Sequence, residues 1–232
     1  MDWSLPERHG RYEVKEGGPG QVRQNDVFLK VCGITRVIDA LHAVEQGATA
    51  IGFVLWPESP RAVSVERAAE IIKALPSHVM TVGVFVDEPV DRIRAVAERT
   101  RLTAVQLHGQ EPPAYADELD WPVIRAVSID QIGEASETWS EETALLLDNI
   151  DPVRRGGTGA VVDWTQAAGI AQKRRVVLAG GLTPDNVASA IRAVRPFGVD
   201  VSSGVESAPG VKDFDKVTHF IANARLAFEE YQ

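Results

Sequence analysis

The strongest constraint in this chain is an alternation that begins at Val27. Short apolar runs rich in β-branched residues start near Val27 (VFLKVC), Ala50 (AIGFVL), Met80 (MTVGVFV), Ala104 (AVQL), Val123 (VIRAV), Ala144 (ALLLD), Val176 (VVLA) and Val199 (VDVSS). These eight runs lie roughly 19 to 32 residues apart. Between them sit stretches of 3.6-residue period. Arg36 to Gln46 carries Val37, Leu41 and Val44 on one face; Val65 to Leu75 carries Ala68, Ile71, Ile72 and Leu75. Val90 to Arg99 (Ile93, Val96, Ala97), Val187 to Val194 and Phe214 to Phe228 repeat the pattern. Ser64 followed by Glu66, and Thr183-Pro184-Asp185, read as helix starts. Gln131 to Trp139 is polar, and Asp151 to Asp163 reads as a long loop.

Strands that are apolar on both faces, each followed by a helix, pair in parallel with both faces covered. Eight such units in the 206 residues from 27 to 232 predict an α/β fold, a compact (β/α)8 barrel in one domain. That is somewhat below the usual ~250 residues. The rival is an open doubly wound sheet. Against it, Cys32-Gly33-Ile34-Thr35 follows the first strand, where a dinucleotide fold would carry G-x-G-x-x-G. Residues 1–26 stand apart. They hold four basic and five acidic side chains and a Gly17-Gly18-Pro19-Gly20 run, with little apolar periodicity. They read as a flexible N-terminal extension.

Composition removes several function classes. A net charge of -9 and a pI near 5.1 argue against nucleic acid, which needs a basic footprint. The single cysteine excludes an intramolecular disulfide framework and thiolate-rich zinc sites. It points to a reducing, cytoplasmic setting. No apolar run approaches the roughly 18 residues of a membrane span, and the polar start of the chain has no signal-peptide pattern. His9, His42, His78, His108 and His219 are scattered, with no H-x-x-x-H pair, so no metal site is expected.

Active sites of (β/α)8 barrels lie at the C-terminal ends of the strands. Here those ends are polar or glycine-rich: Lys30, Cys32, Gln106, His108, Arg125, Asp148, Gly180, Gly181, Ser202, Ser203 and Gly204. Cys32 reads either as a small buried hydrophobe or as a base or nucleophile. Asp148, closing an apolar run, reads either as a loop cap or as an acid whose pKa burial raises. Gly180-Gly181 and Ser202-Ser203-Gly204 follow the seventh and eighth strands, where this fold builds phosphate sites from backbone N–H groups. Gly156-Gly157-Thr158-Gly159 reads either as a third such loop or as a mobile one. Arg61, in Ser59-Pro60-Arg61 after the second strand, is suited to a substrate carboxylate.

The motifs in order resemble the phosphoribosylanthranilate isomerase family. They are Lys30-Val31-Cys32-Gly33-Ile34-Thr35, Gly52-Phe53-Val54 with Ser59-Pro60-Arg61, Val82 to Val86, Val105-Gln106-Leu107-His108-Gly109 and Leu146-Leu147-Asp148. Gly156 to Gly159 with Asp163-Trp164, Leu178 to Leu182, Asn186-Val187, Gly198 to Glu206 and Pro209 to Asp213 complete the set. The likeness runs from Lys30 to about Arg225 and leaves out residues 1–26.

The resemblance implies a cofactor-free, metal-free Amadori rearrangement in tryptophan biosynthesis. N-(5′-phosphoribosyl)anthranilate becomes 1-(2-carboxyphenylamino)-1-deoxyribulose 5-phosphate. It implies Asp148 as general acid, Cys32 as general base and Arg61 as the holder of the anthranilate carboxylate. Gly157, Thr158, Gly159, Gly180, Gly181, Ser202, Ser203 and Gly204 would grip the phosphate, and Asp200 would orient the ligand. Gln106 and His108 line the mouth without assigned roles. Ala62-Val63 after Arg61, Asn149 after Asp148 and Asp87-Glu88 after the third strand depart from the family's habit and leave the acid, the base and the arginine in place. Two alternatives are a histidine-pathway aminoaldose isomerase, which has a carboxylate where Cys32 stands, and a non-catalytic phosphate-binding barrel. A homodimer, or contact with another tryptophan-pathway enzyme, is compatible with the sequence.

Overall fold

The computed structural model describes residues 27–148 and 164–230. Eight strands form a closed, all-parallel barrel in sequence order. They are β1 (Phe28–Val31), β2 (Ala50–Val54), β3 (Met80–Phe85), β4 (Ala104–Leu107), β5 (Val123–Val127), β6 (Ala144–Leu147), β7 (Val176–Leu178) and β8 (Gly198–Val201). The helices between them are α1 (Val37–Gln46), α2 (Val65–Ala74), α3 (Val90–Thr100), α4 (Ala114–Glu118), α5 (Ile132–Thr138), α6 (Trp164–Ala171) and α7 (Val187–Val194), with α8 (Phe214–Glu229) after the last strand. Closure through the β1–β8 pairing excludes the open sheet.

The alternation of each strand separates two apolar compartments. Phe28, Ala50, Met80, Val82, Ala104, Ile124, Ala126, Ala144, Leu146, Val177 and Ala179 fill the barrel interior. Their neighbours in sequence, such as Leu29, Ile51, Val105, Leu145 and Val199, pack outward against the helices. The polar strand ends are thus set on a plug of side chains, as a barrel of this size requires.

Local chemistry explains most helix boundaries. Ser64 Oγ accepts from Arg67 N at 3.1 Å and caps α2; Asp213 Oδ1 accepts from Lys216 N at 3.0 Å and caps α8. The expected start at Thr183-Pro184-Asp185 is instead a turn. Asn186 Oδ1 accepts from Thr183 N (2.8 Å), and α7 begins after Asn186. The polar Gln131–Trp139 segment still forms α5, because Ile132 and Ala135 are buried and suffice for a single short face. Three elements were not among the stretches read from the sequence: the short α4, α6, and an antiparallel hairpin of β9 (Glu206–Ala208) and β10 (Val211–Lys212) after a 3-10 turn at Ser203–Val205. The hairpin is too short to leave a periodic trace. The predicted extension, the predicted loop at 151–163 and Gly156, Gly157, Thr158 and Gly159 lie outside the described residues.

Candidate active site

Strand parity decides which polar residues meet. Counting in twos from the interior residues of each strand, Lys30, Cys32, Gln106, His108, Asp148, Asp200 and Ser202 all face inward at the mouth. The β1–β8 register sets Lys30 opposite Asp200. Lys30 Nζ donates to Asp200 Oδ2 and to Gln106 Oε1, each at 2.9 Å, in full burial. Arg125 belongs to the other parity. It points out of the barrel, bonds Glu111 and lies over the Trp139 ring.

Gly52 of β2 makes the room for this cluster. A Cβ there would stand 2.7 Å from Cys32 Sγ and 2.9 Å from Lys30 Cε. The thiol and the lysine stem therefore lie side by side over a bare backbone. Cys32 N donates to Val201 O at 2.8 Å, which ties the thiol-bearing residue to the end of β8.

From Lys30 a hydrogen-bonded line crosses the mouth. Lys30 can only donate, so it takes the Gln106 carbonyl oxygen. The Gln106 amide nitrogen then donates to His108 Nδ1 at 2.9 Å. This leaves the His108 proton on Nε2, which lies 3.7 Å from Asp148 Oδ2. Burial, followed by the nearby Lys30 charge, pushes the His108 pKa down to about 4. His108 is consequently a neutral donor facing the Asp148 carboxyl at neutral pH.

Electrostatics pull the base side two ways. Burial pushes the Cys32 thiol up; Lys30 pulls it down, and Asp200 pushes it up again. The balance leaves Cys32 above its ordinary value, so the resting group is a thiol. Burial also raises the Asp200 carboxyl, against the pull of Lys30. Desolvation opposes the Lys30 charge, but Asp200 and Cys32 outweigh it and hold its pKa above normal. Asp200 Oδ1, His108 Nε2 and Ser202 Oγ are buried with no hydrogen-bond partner among the described residues. Arg125 Nε, Trp164 Nε1 and Arg174 Nε are likewise unpartnered, but Asp200, His108 and Ser202 face inward at the mouth, which makes their open atoms the candidate ligand contacts.

The two loops beyond β7 and β8 are built on glycine. Gly180 and Gly181 both have positive φ (68° and 72°), a backbone that side chains rarely tolerate. Asn186 Nδ2 donates to Gly181 O at 2.9 Å and braces that turn from behind. A Cβ on Gly204 would stand 1.9 Å from Leu182 O, so the two loops touch through bare backbone. Ser203 and Gly204 lie in the short 3-10 turn.

Arg61 reaches the mouth from the β2 loop. Ser59 Oγ accepts from Arg61 N, and an isolated parallel bridge of Val54 to Ala62 folds the loop back. The arginine stem crosses Gly33, where a Cβ would stand 2.7 Å from Arg61 Cδ and 3.0 Å from Ser202 Oγ. Its guanidinium is paired with Glu206 (Nη2 to Oε2, 2.8 Å). Neither Glu206 nor Lys212 was assigned a role from the sequence. Their parity is meaningless without the hairpin, whereas Lys30 could have been picked out as an inward lysine two residues before Cys32. Among the described residues, no group of three His, Cys, Asp or Glu side chains is placed to hold a metal.

A family model for N-(5′-phosphoribosyl)anthranilate (PRA) isomerase matches residues 29–223. A relative from Pelobacter propionicus named N-(5′-phosphoribosyl)anthranilate isomerase is 49% identical over 200 residues, covering 86% of this chain and 96% of the relative. A crystal structure of phosphoribosyl anthranilate isomerase in complex with reduced 1-(o-carboxyphenylamino)-1-deoxyribulose 5-phosphate is 43% identical, with a TM-score of 0.77 over 86% of this chain and 98% of that one. Monomers generated from the dimeric phosphoribosylanthranilate isomerase of Thermotoga maritima are 42% identical, with a TM-score of 0.76 and the same coverage.

Proposed function

The chain belongs to the N-(5′-phosphoribosyl)anthranilate isomerase family and is an isomerase of tryptophan biosynthesis, and from this premise we propose how its residues divide the reaction. The observation that carries the assignment is the single polar cluster running from Cys32 through Lys30, Gln106 and His108 to Asp148. It joins a candidate base and a candidate acid within one mouth.

Asp148, as the carboxylic acid, protonates the ribose ring oxygen. The C1′–O bond breaks, and the nitrogen lone pair forms a C1′ iminium. The Cys32 thiolate then takes the C2′ proton, and the electrons of that bond neutralise the iminium to give an enolamine. Tautomerisation returns a proton to C1′ and leaves the C2′ ketone. The raised Cys32 thiol is compatible with this role. The iminium brings a full positive charge beside the sulfur and makes the C2′ proton far more acidic, so the thiol gives its proton to water only once substrate is bound, and the resulting thiolate is the base. Lys30 supports the thiolate from below. His108, donating from Nε2, is placed to hold the Asp148 carboxylate once it has given up its proton.

Gly180, Gly181, Ser202, Ser203 and Gly204 form the phosphate end; Gly157, Thr158 and Gly159, outside the described residues, are assigned to it on the family resemblance alone. Arg61 takes the anthranilate carboxylate, and Asp200 orients the ribose through Oδ1. A substrate with a phosphate and a carboxylate explains why an acidic protein concentrates N–H donors at this face. The ligand in the related complex carries the same two groups. The barrel domain is taken as 27–232 with 1–26 outside it, and the setting as cytoplasmic. The dimeric Thermotoga maritima relative supports a homodimer here; contact with another pathway enzyme is proposed without support from it.

Freshly made phosphoribosylanthranilate tests the activity directly. Its anthranilate fluorescence should decay on adding the protein much faster than in buffer alone. Decay at the buffer rate would overturn the assignment.

A further inference from the structure

The Arg61 guanidinium is held by an assembly that the reaction itself does not use. Glu206 Oε1 and Oε2 accept from Arg61 Nε at 2.9 and 3.1 Å, and Oε2 accepts from Nη2 at 2.8 Å. Glu206 Oε1 also accepts from Gly210 N (3.2 Å) and from Lys212 Nζ (3.0 Å). Lys212 has no exposed side-chain surface and donates in addition to Ser202 O at 3.1 Å. The hairpin that carries Glu206 and Lys212 is strapped to the rest of the mouth. Thr35 Oγ1 donates to Gly210 O (2.6 Å), and Lys212 N donates to Asp39 Oδ2 (3.2 Å).

This carboxylate is saturated with donors from three residues. Burial opposes its charge, but Arg61 and Lys212 overcome that and hold it below the usual carboxylate range. It is therefore a permanent anion with no capacity left to move a proton. The geometry on Arg61 is equally specific. Glu206 occupies the side of the guanidinium formed by Nε and Nη2. Among the described residues, the end formed by Nη1 and the second Nη2 proton is bonded to nothing else. That end is the one able to receive a planar carboxylate in a two-point contact.

We propose that Glu206, braced by Lys212, is a positioning residue that sets substrate specificity: it fixes Arg61 across Gly33 so that its free end selects aminoaldoses bearing a carboxylate on the amine substituent. This rests on the reading of Arg61 as the carboxylate holder. A long arginine left to itself would lose rotamer freedom only when substrate bound, and the clamp removes that cost beforehand. Lys212 also links the clamp to the backbone of Ser202, beside the phosphate loops. The two anion-binding ends of the site thereby share one brace.

Charge and position predict opposite signs for Glu206→Gln. Removing a negative charge beside Arg61 makes the cluster more positive, which by charge alone would tighten binding of an anion. Loss of the clamp should weaken it. The experiment compares turnover of phosphoribosylanthranilate with that of N-(5-phosphoribosyl)aniline, which lacks the carboxylate. In Glu206→Gln the kcat/KM preference for the carboxylated substrate should fall about tenfold, carried by KM with kcat little changed. A preference that is unchanged or increased overturns the proposal. Arg61→Ala run in parallel separates the layers. Preference lost there but retained in Glu206→Gln overturns the positioning role alone. Preference retained in both overturns the Arg61 reading and the proposal with it. Should Glu206→Gln fail to fold, Glu206→Asp keeps the charge but draws it back by one methylene. It should shift preference in the same direction, and an unshifted preference again overturns the proposal.

Discussion

Two buried ion pairs sit near the strand ends, on opposite sides of the barrel wall. Inside, Lys30 pairs with Asp200; outside, Arg125 pairs with Glu111. Each joins opposite charges away from water, yet the two are finished differently. The outer carboxylate is filled: Glu111 accepts from Asp87 N, Gly109 N and Arg125 Nη1, while Arg125 Nη2 donates to Gly109 O. The inner pair leaves Asp200 Oδ1 open, beside the open His108 Nε2 and Ser202 Oγ. Arg125 Nε is also without a partner among the described residues, so the contrast lies in the carboxylates and in where they face. Glu111 is filled by loop donors on the outer side of the wall, whereas Asp200 keeps one oxygen open on the inner side, at the mouth.

The comparison can be broken by mutation. The largest effect is expected inside. Cys32→Ala and Asp148→Ala should each lower kcat by about 10² to 10⁴-fold, with the thermal midpoint nearly unchanged. Steady-state kinetics and thermal unfolding on the same preparations check this. Near-normal turnover in either variant removes that residue from the mechanism.

The outer pair should show the reverse. Arg125→Met leaves the Glu111 charge buried with only backbone donors. It should cost about 3–5 kcal/mol of stability, read by urea unfolding, while kcat/KM of the folded enzyme stays within about threefold. A large loss of turnover in a stable Arg125→Met protein would erase the contrast.

The smallest effect is a pH slope. The His108 pKa falls from 6.5 to about 4 on folding. Between those values the unfolded chain binds a proton that the folded protein does not. This contribution to stability is therefore complete above pH 6.5 and is lost as pH falls toward 4. Wild type should lose on the order of 2 kcal/mol more than His108→Asn between pH 7 and 4.5. Parallel urea titrations at the two pH values measure the difference, and equal slopes would mean that His108 titrates normally.

Much of the molecule was legible in the chain. The eight strands were found because buried parallel strands are continuous, β-branched apolar runs, and here they alternate with longer stretches of helical period. Cys32, Asp148 and the Gly180-Gly181 and Ser202 to Gly204 loops were found because they end such runs. Two things misled. Arg125 looked like a mouth residue by position, but its parity turns it outward. Thr183 looked like a cap, yet Asn186 holds that turn from the other direction. Glu206 and Lys212 were invisible as partners because a hairpin of five strand residues carries no period.

The sequence by itself determined the eight barrel strands, five of the helices, the barrel class and the set of polar residues at the strand ends. Those depend on local rules: period two in strands, period 3.6 in helices, and the preference of turns for glycine. Only the tertiary structure decided the pairings. Lys30 meets Asp200 across 170 positions and Arg61 meets Glu206 across 145. Barrel closure and strand register bring such residues together, and no property of either neighbourhood alone encodes the meeting. The charge states follow from the same cause, since burial and partner charge exist only after the chain has closed on itself.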